Sequence, residues 1–304
     1  MSTFKPAVYL ALAIAVVILG SSAIFIRKAE APGAVSSLYR MAIASMVMVL
    51  PFFQRVSKHQ SSLPWDGVRI ALLGGIFFAL DLTLWSTGIM LSGATNPTLL
   101  SNTAPLWVGL GAFLFFGEKQ SGGFWAGVIL SMVGATLILG QDMLRDVHFG
   151  VGSLLGLLSS FFYGAYYLTT QRGREKLDTL SYFWLTALSS SLVLFVFNLI
   201  LGNRLTGYST STYLYFLASG VVVQVIGWLI LNYIQGYLPA SIVAPTMLVQ
   251  PVVTAIFAAL LLGERFTIWH ICGGIAVLTG VYLVHRSHWE TQPALSERSS
   301  HRPA

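Results

Sequence analysis

The stretch from Asn96 to Gly140 recurs in outline in the second half of this 304-residue chain, and that repetition restricts the fold more than any other feature. Pro105 and Pro251, Glu118 and Glu264, Gly127 and Gly273, and Gly134 and Gly280 all stand 146 residues apart, with no gap between the copies. The same offset carries Gly93-Ala94-Thr95 onto Pro239-Ala240-Ser241, and Gly74 onto Gly220. Two copies of one module are therefore expected. A repeat of this kind decides the architecture before any local pattern does.

The module is written in apolar residues. The chain is 55% hydrophobic and only 9% charged, with a mean hydropathy of +0.74, whereas a soluble domain carries about 25% charged residues. A membrane-crossing helix needs about 20 mostly apolar residues. Ten stretches meet that requirement: 8–26, 34–53, 68–91, 96–116, 122–140, 150–171, 179–201, 211–236, 239–262 and 267–285. The fold expected is an all-α polytopic membrane protein, its ten transmembrane helices arranged as two inverted five-helix repeats. The repeats cover 8–140 and 150–285, between a short N-terminal segment (1–7) and a polar tail (286–304) expected to be disordered. Arg27 and Lys28 follow the first stretch directly, and that stretch is longer than the apolar core of a signal peptide, so it reads as a retained span.

The net charge of +6 does not point to nucleic acid, because Lys and Arg stand singly between apolar runs. Their distribution points to topology instead. Lys5, Arg55, Lys58, Arg69, Lys119, Arg172, Arg174, Lys176, Arg286, Arg298 and Arg302 fall on the side of the N-terminus. Arg27, Lys28, Arg145, Arg204 and Arg265 fall on the other. Positive residues are enriched on the cytoplasmic side, so both termini are expected in the cytoplasm. Five spans per copy is an odd number, so the second copy enters the membrane upside down. Inverted repeats place a solute route at their interface and allow alternating access. Among function classes, this favours a transporter.

With these residues in view, the chain resembles the drug/metabolite transporter superfamily, and within it the EamA-type transporters. The resemblance covers about residues 8–285. It rests on ten spans in two copies, each copy ending in a helix with a proline, a Gly-Glu-Lys/Arg loop and a glycine-spaced last helix. The runs Ala79-Leu80-Asp81-Leu82-Thr83-Leu84-Trp85 and Ala94 to Pro105 are similar to a bacterial branch of the family, and Leu38-Tyr39-Arg40 fits as well. The resemblance implies secondary transport across the bacterial cytoplasmic (inner) membrane, with export of an amino acid or related amphiphile as the expected activity. An uncoupled exchanger or drug efflux protein of the same fold is the alternative. The substrate stays open, since superfamily members move chemically diverse solutes. Gly227 stands where the first copy has Asp81, so the two halves are chemically unequal.

Asp81 is the sharpest single signal. An ionisable side chain inside a span is costly unless it faces a cavity or a partner. Two readings stand: a group that exchanges protons or binds an amine, or a structural acid bonded to a neighbouring helix. Trp85 and Gly88 share its helix face. Arg40 either binds an anionic group, pairs between helices, or snorkels to the interface. Thr98, Asn102, Pro105 and Gly109 form one face of the fourth span, and Gln250, Pro251 and Thr254 match them in the ninth. Ser159, Tyr163, Tyr166 and Thr170 share a face in the sixth; Gln224, Trp228, Asn232 and Gln235 nearly do in the eighth. Aromatic and amide groups together can hold an organic solute; helix packing explains the same residues. The candidate pathway set is Arg40, Asp81, Trp85, Thr98, Asn102, Tyr163, Tyr166, Gln224, Trp228 and Gln250, with Asp81 as the candidate for proton coupling. Glu118 and Glu264, in the short loops, read as solvated topology and capping residues.

No catalytic set is expected. The spans hold no second acid to pair with Asp81, the histidines lack ligand spacing, the single Cys272 builds no redox motif, and no Walker A sequence is present. No metal or cofactor is expected. The partners expected are a small-molecule substrate and the lipid bilayer, not nucleic acid, with the chain a monomer or homodimer.

Overall fold

The computed structural model describes residues 6–59, 63–92, 95–139, 150–263 and 267–300. Among them, ten helices are long and apolar enough to cross a membrane: α1 (Pro6–Ala29), α2 (Gly33–Lys58), α3 (Trp65–Ser92), α4 (Asn96–Phe116), α5 (Gly122–Leu139), α6 (Val151–Arg174), α7 (Thr179–Ile200), α8 (Thr210–Ile234), α9 (Ala240–Leu261) and α10 (Ile268–Glu290). The spans alternate in direction, so Pro6 and Glu290 lie at one end of the bundle, the terminal face, where the Trp289 indole donates to the Tyr9 hydroxyl at 3.2 Å. Large apolar side chains such as Leu114 (71% exposed), Phe115 (76%) and Leu260 (75%) point outward. Water would penalise that surface and lipid tails do not.

Two spans are broken where the sequence places proline. In α4 the helix stops at Ser101 and restarts at Ala104; in α9 it stops at Thr246, passes through a 3₁₀ turn at Met247–Val249, and restarts at Gln250. Pro105 and Pro251 sit in the first turn of the restarted helices, where a missing N–H costs nothing. Both restarted helices end on a left-handed glycine, Gly117 (φ 69°) and Gly263 (φ 68°), a conformation that side chains resist. A third irregularity has no counterpart in the first half: α8 runs as a π-helix over Ser219–Gly227.

Packing depends on small residues, since apolar attraction alone does not select partners in lipid. The α5 and α10 backbones touch: a Cβ on Gly127 would lie 2.6 Å from the Gly280 carbonyl oxygen, and one on Gly134 2.6 Å from that of Gly273. These contacts exchange partners under the 146-residue offset. Midway between them Ser131 donates to the carbonyl of Val277, its own counterpart, at 3.3 Å. On the other side of the bundle, Ser189 and Ser190 of α7 bond the Leu72 and Gly75 carbonyls of α3, each at 2.8 Å. Asn198 reaches the Ala34 carbonyl of α2 at 3.0 Å.

The end of the chain departs from expectation. The last helix runs past Arg286 to Ser300, through a segment whose composition predicts disorder. An Arg286–Glu290 pair at 2.8 Å, one helical turn apart, supports its start. The Glu264-Arg265 loop lies outside the described residues.

Candidate functional site

The polar residues singled out in the sequence converge. Arg40 of α2, Asp81 and Trp85 of α3, Thr98 and Asn102 of α4, Tyr163 of α6, Trp228 of α8 and Gln250 of α9 line one cavity of about 170 Å³, together with Leu19, Ser22 and Ile26 of α1. A smaller cavity of about 60 Å³ adjoins it toward the terminal face. The two share Ser101, Asn102, Tyr163 and Gln250, and the smaller one reaches the breaks of α4 and α9 through Pro105 and Met247. The helix breaks thus put irregular backbone where it borders a cavity inside protein, the setting in which a membrane tolerates it.

Asp81 is buried and its Oδ1 accepts a 2.5 Å hydrogen bond from Ser159 on α6, whose hydroxyl lies 3.2 Å from that of Ser101. Arg40 does not snorkel: it is 5% exposed and donates from Nη2 to Gln224 Oε1 at 3.1 Å. Its Nε and the Asn102 side-chain nitrogen are buried without a hydrogen-bond partner. Arg40 and Asp81, opposite in charge and lining the same space, form no ion pair. The Trp85 indole N–H is fixed by Thr98 Oγ1 at 3.1 Å, and the Tyr163 hydroxyl lies 3.0 Å from that of Tyr167. Phe78 stacks on Tyr166 (centroids 4.4 Å apart) and packs against Trp228 (4.6 Å).

Other residues of these faces lie elsewhere. Tyr166 does not line the cavity; it is 1% exposed and lies behind Phe78. Gln224 touches Arg40 rather than the cavity. The face expected in α8 is not kept whole: Trp228 faces the cavity, while Asn232, one regular turn on, donates to the Trp228 carbonyl at 2.8 Å and lies beside Tyr166. Gly88 packs on α6 against Gly152, and Gly109 against Phe124 and Trp125 of α5. Thr254 ties α9 to α1 by donating to the Gly20 carbonyl at 2.7 Å. Thr170 accepts from Tyr182 at 3.2 Å. Glu118, in the loop after Gly117 and half-buried, is hydrogen-bonded to two other helices rather than only to solvent. Sequence reasoning missed Phe78 and Ser101. Both neighbour a candidate, Phe78 one helical turn before Asp81 and Ser101 next to Asn102, but an apolar residue or a serine inside a span sends no signal of its own.

Comparison with known proteins agrees with this architecture. The EamA-like transporter family matches residues 6–140 and 150–286. The chain is 27% identical to the transporter YdfC of Bacillus subtilis (strain 168) over 81% of its own length and 79% of that protein's. It is 30% identical to a probable amino-acid metabolite efflux pump of Escherichia coli (strain K12), over 57% of this chain and 61% of the pump. A riboflavin transporter of Rhizobium johnstonii is 29% identical over 52% of this chain and 50% of its own. A solved crystal structure superposes with a TM-score of 0.77 over 91% of this chain and 97% of its own, at 15% identity, which speaks for the fold alone. Ten apolar helices around a polar cavity and a family match over both halves lead to one conclusion: this multi-pass membrane protein belongs to the EamA-like transporter family.

Proposed function

We propose that the protein is a secondary transporter of the bacterial cytoplasmic membrane that exports a small zwitterionic metabolite, an amino acid or close relative, by alternating access between two inverted repeats. The observation that carries this reading is that Arg40 and Asp81 line one cavity without pairing. A buried charge left unpaired is costly, so the cavity favours a solute that brings both complements. A carboxylate suits the planar edge of the Arg40 guanidinium, and an ammonium suits Asp81. Phe78, Trp85, Tyr163 and Trp228 wall the space for an apolar body. The name of the E. coli relative, an amino-acid metabolite efflux pump, points the same way. The excess of Lys and Arg at the terminal face supports cytoplasmic termini.

Asp81 also couples export to proton entry in this reading, because it is the acid that the solute's ammonium and a proton would compete for. Growth of cells overexpressing the chain, challenged with toxic amino acids, their analogues and cationic drugs, tests the substrate class. Resistance to the amino-acid class, lost in Asp81→Asn, is expected. Resistance confined to drugs that lack a carboxylate would reject the zwitterion reading. In proteoliposomes, Asp81→Asn should abolish the dependence of transport on a pH gradient; an unchanged dependence would leave an uncoupled exchanger.

A further inference from the structure

On the side of the terminal face the smaller cavity is bounded by three helices. α4 supplies Asn102 and Pro105, α6 supplies Tyr163 and Tyr167, and α9 supplies Ala244 and Met247. The same three helices are fastened together about one turn further on. Gln171 lies four residues past Tyr167, and Ala240 four residues before Ala244, each about 6 Å along its helix. Between them sits Glu118, held just after the left-handed Gly117 that ends α4. Its Oε1 accepts from Gln171 Nε2 at 3.0 Å, and its Oε2 from Ser241 Oγ at 2.8 Å and Gln120 Nε2 at 3.3 Å. Gln171 closes the triangle: its Oε1 accepts from the Ala240 N–H at 2.6 Å. One carboxylate from the first half thereby binds two helices of the second, through hydrogen bonds to a charged acceptor that are roughly twice as strong as neutral ones.

We infer that Glu118 is a latch that holds the terminal-face end of the solute route shut, and that it releases Gln171 and Ser241 when the route opens to that face. A solute leaving the smaller cavity between α4, α6 and α9 has to part these three helices, and the Glu118 triangle is the polar contact that joins all three. The inference rests on the alternating-access reading above, but not on the identity of the solute.

The test needs no substrate. Ala244→Cys, in a Cys272→Ala background, places a thiol in the smaller cavity, and Trp65→Cys reports which vesicle orientation presents the terminal face. Membrane vesicles of both orientations are treated with a membrane-impermeant maleimide. With Glu118 intact, Ala244→Cys should react slowly from the terminal face. Glu118→Ala should speed that reaction at least about five- to tenfold, because it removes both charge-assisted bonds between the helices. Gln171→Leu should do the same, and Glu118→Gln, which keeps an acceptor, should fall between; these two carry the test if Glu118→Ala does not fold. Reaction from both faces, with rates unaffected by all three variants, would overturn the latch and leave alternating access standing. Reaction from a single face in every variant would remove alternating access and the latch with it.

Discussion

Arg40 is the residue that packing explains least. A guanidinium buried inside a span has to be hydrogen-bonded or satisfied by a ligand, and of its donors Nη2 meets Gln224 while Nε meets nothing. Gln224 acts here as a positioning group: its oxygen holds one corner of the guanidinium and leaves Nε without a protein partner. Gln224→Leu removes that hold. A hydrogen bond to a charged group contributes about 1.5–3 kcal/mol, so KM for a carboxylate-bearing solute should rise about tenfold or more, with little change in maximal rate. Gln224→Glu should act differently, since a carboxylate beside Arg40 satisfies it internally. Solutes with a carboxylate should be rejected while amines that lack one are still carried. Initial rates in inside-out vesicles separate the two variants, and equal effects on both solute types would mean that Gln224 serves packing only.

Helices were more legible in the sequence than what interrupts them. Hydropathy alone locates the ten spans, because a bilayer tests length and apolarity and little else. Pro105 and Pro251 announce the breaks in α4 and α9, since a missing N–H has a fixed local consequence. The π-helix in α8 had no such signal, and it shifts Gln224, which lies inside it, against Trp228, just past its end, from a face counted at the α-helical period. Eight of the ten candidate residues (Arg40, Asp81, Trp85, Thr98, Asn102, Tyr163, Trp228 and Gln250) line the cavity, because a polar group in a span has few other places to go. Glu118 was misread for the opposite reason: its partners Gln171 and Ser241 come from helices 53 and 123 residues away. Capping, being local, can be tested at the element scale. Asp178 begins α7, accepting from the N–H groups of Leu180 and Ser181 at 3.1 and 3.2 Å and from the Ser181 hydroxyl at 2.8 Å. Burial pushes its carboxyl up, but these bonds and the neighbouring Arg55 outweigh it, and the group sits below its ordinary value. A depressed carboxylate contributes stability above the pH at which an unfolded Asp titrates, and loses it as pH falls through the native value. Asp178→Ala should therefore lower stability by about 1 kcal/mol at neutral pH. In detergent, the gap in melting temperature between this variant and the wild type should narrow as the sample is acidified below the usual carboxylate range.

At the scale of the whole molecule, the pairing of α5 with α10 gives the two-fold reading a mechanical consequence. Ser131 meets Val277, the residue 146 positions on, and the flanking approaches of Gly127 to Gly280 and Gly134 to Gly273 exchange partners under the same offset. In a molecule with inverted two-fold symmetry, a residue that faces its own counterpart lies at the axis. If transport proceeds by the halves exchanging conformations, that pair maps onto itself, and its separation is the same in both states. Pairs off the axis map onto different residues and change separation. Gln171 and Ser241, joined through Glu118 at the terminal face, are such a pair. In a Cys272→Ala background, joining Ser131→Cys to Val277→Cys with oxidant or a short thiol crosslinker should leave transport in proteoliposomes as fast as in the reduced protein. The same treatment of Gln171→Cys with Ser241→Cys should stop transport, and reduction should restore it. Arrest by the first crosslink would mean that α5 and α10 shift against each other during the cycle, which an axis through their contact forbids; the halves would then have to move by some route other than exchange about that axis.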